Sequence, residues 1–92
     1  MHTEIKDGDD ILVRVTEVIT RSAKLLEPGE ELAPQQELLD VGIDSFGLLE
    51  IITEIEIEFD IVIPDEMLTR ETFQSAHSVA GAVRDIRSGA FA

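Results

Sequence analysis

Ninety-two residues with 43% apolar content can build one modest core and no second domain. A net charge of −13 argues against nucleic acid or anionic membrane as a partner, because both demand clustered Lys and Arg. The chain has no cysteine, so disulfides and thiolate metal sites are excluded, and with four Phe, no Trp and no Tyr the core must come mainly from Ile, Leu and Val.

The N-terminal stretch Met1 to Asp10 is polar and acidic, and the longest apolar runs are a few residues, so the sequence offers neither a signal peptide nor a membrane span. A soluble, cytoplasmic chain is the expectation. Every charged side chain from Glu27 to Glu66 is acidic, which predicts partners with basic surfaces unless the excess serves only solubility.

Met1 to Gly8 reads as a frayed lead-in. The first helix is predicted from Asp9 or Asp10, whose carboxylates suit a helix N-terminus, and its apolar face is Ile11, Leu12, Val15, Val18, Ile19 and Leu26 with Ala23 beside them. Glu27-Pro28-Gly29 stops it, since proline cannot continue the hydrogen-bond ladder. Glu30 to Asp44 follows as a connection longer than most loops of a compact domain, predicted to be pinned by Leu32, Leu38, Leu39, Val41 and Ile43, with Gly42 in a tight turn.

The second helix is predicted from Ser45 to Phe59. At about 100° per residue, Leu48, Ile51, Ile52, Ile55 and Phe59 share the core face. Phe46, Leu49, Glu50, Thr53 and Ile57 fall on the opposite side, flanked by Glu54 and Glu56. A helix apolar on two sides either meets a partner or packs on a neighbouring element, and the mixed apolar and acidic stripe favours the partner. Asp60-Ile61-Val62-Ile63-Pro64 disfavours helix, Asp65 to Leu68 fits one short helical turn, and Phe73 is placed to plug the core from the next loop. Ser75 is the predicted cap of a last helix carrying Val79, Val83 and Ile86 and ending near Ser88-Gly89. These elements make an all-α fold, a small four-helix bundle of three main helices and one short one with a long first loop, in a single domain spanning 1–92 with its core at about 10–88.

The chemically informative segment is Leu39-Asp40-Val41-Gly42-Ile43-Asp44-Ser45-Phe46. It sets the Ser45 hydroxyl at an exposed helix start, where free N–H groups and the helix dipole favour a phosphate, and Asp44 is placed to cap the helix or to help hold a divalent cation at the serine. An Asp-Ser pair at a helix start is also an ordinary cap. Gly42-Ile43-Asp44-Ser45-Phe46 resembles the glycine, apolar residue, aspartate, serine, leucine motif of acyl carrier proteins, and Glu50 to Asp65 is similar to that family's acidic second helix and its Ile-Pro-Asp exit. The resemblance spans about Asp10 to Ile86. It implies that a phosphopantetheinyl transferase attaches 4'-phosphopantetheine from coenzyme A to Ser45, with Asp44 in support, and that the arm's thiol holds a thioester.

The resemblance further implies an acyl- or aminoacyl-activating ligase or acyltransferase that loads the arm, and downstream synthase or transferase enzymes with basic docking surfaces that read Phe46, Leu49, Glu50, Thr53, Glu54, Glu56 and Ile57. The carrier is expected to be monomeric, and its charge and ends favour a free-standing protein. Asp44-Ser45-Phe46-Gly47, Phe59-Asp60-Ile61 and Arg70-Glu71 resemble D-alanyl carrier proteins more than fatty acid carriers, which leaves the cargo open between an amino acid and a carboxylic or polyketide acyl group.

Three other readings stand beside this one. An enzyme with Ser45 as nucleophile lacks a Gly-x-Ser-x-Gly elbow and has only His2 and His77 as bases, of which His2 is terminal and His77 belongs to the first turn of the last helix. Asp7-Gly8-Asp9-Asp10 lacks the spaced ligands of a calcium-binding loop, although the carboxylates suit weak surface binding of Mg²⁺ or Ca²⁺. An unmodified acidic helical protein-interaction module using the Phe46 to Ile57 stripe is the serious alternative.

Overall fold

The computed structural model describes residues 7–24, 27 and 29–89. Helix α1 is Asp7–Ser22, α2 is Ser45–Phe59 and α3 is Ala76–Ser88, with 3-10 turns at Leu38–Val41 and Asp65–Met67 in the connections. The described residues contain no strand. The fold is all-α, and the short fourth helix predicted at 65–68 is the second 3-10 turn.

Helix α1 lies between the other two. It buries Ile11, Val15, Val18 and Ile19 against Ile51, Ile55 and Phe59 of α2 and against Ala76, Val79, Ala80 and Val83 of α3. Helical spacing generates each of these faces, and alanines on α3 let its backbone approach closely. Helix α1 departs from expectation at both ends: it starts at Asp7, ahead of Asp9, and ends at Ser22, well before Pro28. Ala23 N–H turns back to the Thr20 carbonyl at 3.2 Å, an i→i−3 bond that closes the last turn and drops Ala23 into the core. Leu26, predicted to continue the face, and Pro28 lie outside the described residues, as does the lead-in up to Lys6.

Helix α2 has no basic residue in its last turn, so its carbonyl dipole is met from outside. Arg14 of α1 donates from Nη2 to the Glu58 carbonyl at 2.8 Å and from Nε to the Glu58 carboxylate at 3.0 Å, and its guanidinium sits 4.5 Å from the centre of the Phe59 ring. Asp60 then reverses the chain at φ 54°, a left-handed conformation that aspartate tolerates better than most residues.

The long connection is anchored by Leu32, Leu38, Val41 and Ile43, all buried, and by backbone bonds from Leu38 N–H to the Gln74 carbonyl at 2.9 Å and from His77 N–H to the Pro34 carbonyl at 2.8 Å. Leu39 does not anchor it. In a 3-10 turn residues three apart share a face, so Leu38 and Val41 point inward together and Leu39 is left 71% exposed. Gly42 closes this turn at φ 86°, which only glycine adopts without strain, and delivers the chain to α2. Phe73 is buried, and Ser75 and Ser78 form a reciprocal cap at the start of α3. No described helix is long and apolar enough to cross a membrane.

Candidate functional site

Asp44 and Ser45 divide the work at the start of α2. Asp44 is extended at φ −99°, and its carboxylate accepts the Gly47 N–H at 2.9 Å, satisfying one of the donors that a helix start leaves free. Ser45 is the first residue of the helix and is exposed. The cap is therefore aspartate, and the serine hydroxyl is released from that structural task.

Gly47 has a role that the sequence did not disclose. It is buried, and a Cβ there would meet Ile43 Cγ2 at 3.3 Å and the Asp44 carboxylate at 3.5 Å. The absent side chain lets the first turn close over Ile43 while Asp44 reaches the Gly47 amide. Its poor helix propensity is the cost of this approach.

The Gly47 N–H, followed by the more distant charge of Lys24, holds the Asp44 carboxyl below the usual aspartate range. Because the folded-state value is depressed, the cap's stabilisation is complete above the unfolded value, about 3.9, and is lost as pH falls through the lower folded value. Asp44→Ala is thus expected to melt earlier than the unaltered protein at neutral pH, with the gap closing in strong acid. Thermal melts by circular dichroism from neutral pH downward measure this, and a gap independent of pH contradicts the charged cap.

Beside Ser45 a cleft of about 520 Å³ opens between the first 3-10 turn and residues 70–74. Leu39, Ile43, Leu48 and Phe73 give it apolar walls, while Glu37, Arg70, Glu71 and Gln74 supply polar groups. A second cleft, about 550 Å³, lies between α1 and α3 and is lined by Arg14, Arg84 and Arg87 with Asp10 and Asp85. Arg14 there is committed to Asp10 and Glu58, so this cleft belongs to the packing of the helix ends rather than to Ser45.

The outer stripe of α2 resolves into parts. Phe46, Leu49 and Ile57 are 78%, 61% and 74% exposed, and Thr53 is exposed among them. Glu50 and Glu54 are exposed but lean onto the end of α1, Glu54 bonding Arg21 at 2.9 Å and Glu50 accepting from Ser22 Oγ at 3.5 Å. Glu56 is different: half-buried, its carboxylate accepts the Ile63 N–H at 2.9 Å and ties down the chain after Asp60. That bond makes Glu56 a structural residue of the 60–64 connection, in place of the solvent-facing acid expected from the helical wheel. Leu39, expected to help pin the long loop, is an exposed apolar residue, and so is Val62 within the 60–64 connection. His77 is exposed in the first turn of α3, and among the described residues no group of three or more acidic or histidine side chains converges as a metal site.

Residues 14–83 match the protein family described as the phosphopantetheine attachment site. The chain is 29% identical over 75 residues to an aminoacyl carrier protein of Agrobacterium fabrum, covering 82% of this chain and 90% of that one. It is 32% identical over 54 residues to a D-alanyl carrier protein of Streptococcus mutans, covering 58% of this chain and 68% of that one. Among solved structures it is similar, with a TM-score of 0.71 and 27% identity, to one chain in the crystal structure of engineered Bradyrhizobium japonicum glycine:[carrier protein] ligase complexed with carrier protein from Agrobacterium tumefaciens and ATP. That match covers 80% of this chain and 96% of the other.

Proposed function

The chain belongs to the phosphopantetheine attachment site family of carrier proteins, which are not themselves enzymes, and from that premise we propose that Ser45 bears the 4'-phosphopantetheine and that the arm carries an aminoacyl group. The single observation behind the assignment is the division of labour at the α2 start, where Asp44 caps and Ser45 stays exposed beside the cleft. The residues present fit the group. A hydroxyl is accessible for the phosphodiester, free N–H groups and the helix dipole favour its negative charge, and the cleft offers apolar walls with polar groups at intervals for a chain that contains amides. When bound, the arm supplies a terminal thiol that holds a carboxylic acid as a thioester.

Attachment forms one bond and breaks one. Ser45 Oγ bonds to the phosphorus next to the pantetheine as the pyrophosphate linkage of coenzyme A breaks, adenosine bisphosphate leaves, and the hydroxyl proton passes to the transferase. The exposed position of Ser45 lets the transferase approach, and Asp44 stands next to it as a carboxylate that can assist a divalent cation brought by that enzyme.

An aminoacyl cargo is supported by relatives named aminoacyl and D-alanyl carrier proteins, and by the likeness to the structure that contains a glycine-activating ligase. Partners are then a phosphopantetheinyl transferase, an amino acid-activating ligase, and a downstream transferase or synthase that accepts the aminoacyl group. Phe46, Leu49, Thr53 and Ile57 provide the apolar docking strip, with Glu50 and Glu54 at its side to steer basic partner surfaces. The carrier works as a monomeric domain with its core at 10–88, in the cytoplasm, where coenzyme A and ATP are available.

Loading tests this. The arm-bearing protein is incubated with ATP, glycine or D-alanine, and a cognate ligase, and its intact mass is followed before and after hydroxylamine. A single aminoacyl addition that hydroxylamine removes is the expected result. Loading by a carboxylic acyl-activating enzyme, with none by the amino acid ligases, would overturn the aminoacyl assignment. An unmodified interaction module would show neither the arm nor the load.

A further inference from the structure

Arg70 stands out in the cleft beside Ser45. It is the first cation after Lys24 along the chain, and it lines the same cleft as Ser45 and Asp44. Its side chain is exposed, and among the described residues it has no carboxylate within ion-pair distance; Lys24, Arg84 and Arg87 are likewise unpaired there, but Arg70 is the cation that lines the cleft of Ser45. The backbone that presents it is fixed. Thr69 Oγ1 lies 3.0 Å from Thr72 Oγ1 and accepts the Thr72 N–H at 3.2 Å, Phe73 N–H bonds the Thr69 carbonyl at 3.2 Å, and the Phe73 ring is buried. A cation held this way, in a cleft otherwise carrying Glu37, Asp44 and Glu71, has no ion-pair partner among the described residues to explain it.

Resting on the assignment of the arm to Ser45, we propose that Arg70 is a positioning residue that holds the arm's phosphodiester, so that the arm lies along the cleft toward Leu39 and Gln74. A guanidinium can bond two phosphate oxygens at once, which a point charge cannot, and it offsets the repulsion that the three neighbouring carboxylates exert on a phosphodiester. The exposed side chain of Leu39 and the edge of Phe73 then face the apolar part of the arm. Leu39, left outside the core by the 3-10 geometry, acquires a function in the same arrangement.

The test uses the full chain and its Arg70→Gln and Arg70→Lys variants, each with and without the arm, and the intact mass reports attachment in every case. Phosphorus NMR reads the phosphodiester, and amide proton–nitrogen spectra read the protein. In the unaltered protein, attachment is expected to shift the amides of Leu39, Arg70 and Gln74 as well as those around Ser45. In Arg70→Gln the shifts at Leu39 and Gln74 are lost and the phosphorus line sharpens, while melting is unchanged because Arg70 is exposed. Arg70→Lys, which keeps the charge but loses the bidentate fork, recovers only part of both. If the arm is attached and the unaltered and Arg70→Gln proteins give the same phosphorus line, with shifts confined to the neighbours of Ser45, the Arg70 contact is overturned and the attachment stands. If the unaltered protein gains no arm from an active transferase, the Ser45 assignment falls and the Arg70 contact with it.

Discussion

Ser45→Ala is expected to gain no phosphopantetheine under conditions that convert the unaltered protein completely, and to melt at the same temperature. Both halves follow from the α2 start. The oxygen removed is the one that would form the phosphodiester, so the loss is total rather than graded. The cap that stabilises the helix is the Asp44 carboxylate on Gly47 N–H, and that bond is untouched. Ser45 is exposed, so its truncation leaves no cavity. Intact mass and circular dichroism on the same sample separate loss of the acceptor from loss of the fold. A Ser45→Ala protein that is still modified would move the acceptor elsewhere.

Ile55→Ala should have the largest effect on stability. Ile55 is fully buried where α2 meets α1, among Val15, Ile19 and Ile51, which are equally inaccessible. Removing its side chain beyond Cβ loses transfer energy and leaves a cavity that a close-packed helical interface cannot refill, at a cost of ~2–5 kcal/mol. Small domains have only about 5–15 kcal/mol in total, so this is a large share. Ile52 is only partly buried, and Ile52→Ala should cost less; Ile57 is exposed, and Ile57→Ala should leave stability nearly unchanged while weakening docking to a ligase. Urea unfolding of the three variants measures the series. Equal midpoints for Ile55→Ala and Ile57→Ala would contradict the assigned faces.

The bounds of α2 were legible because both are written in local chemistry. A turn glycine and a capping aspartate precede Ser45, and β-branched residues leading to Pro64 follow Phe59. The end of α1 was not legible. Pro28 marks the last place at which that helix could continue, whereas the place where it stops is set by Ala23 folding into the core. The exposure of Leu39 is not legible in the sequence, because apolar character alone does not distinguish adjacent residues of a 3-10 turn. The helical wheel correctly put Phe46, Leu49 and Ile57 outside but could not see that Glu56 bonds Ile63 across the reversal at Asp60, since that contact depends on the path of the chain after the helix.

The same limit applies to the site. The placement of Asp44 and Ser45 at a helix start was readable from the sequence, whereas the chemistry of the serine rests on the family resemblance. Arg70 was visible only as part of a motif-like dipeptide. Its place in the cleft with Ser45 arises from the two connections, 29–44 and 60–75, being tied together by the Leu38 to Gln74 bond, while the His77 to Pro34 bond fastens the first of them to the start of α3. Gly47 likewise reads as an unfavourable residue in a helix until the approach of Ile43 explains it.

Whether this chain carries its arm on Ser45 is tested most directly by fragmentation mass spectrometry of the unaltered protein after incubation with coenzyme A and a broad-specificity transferase. A single phosphopantetheine addition, localised to Ser45, is the expected result. No addition from a transferase active on a control carrier, or an addition localised to Ser22, Ser75, Ser78 or Ser88, would contradict it.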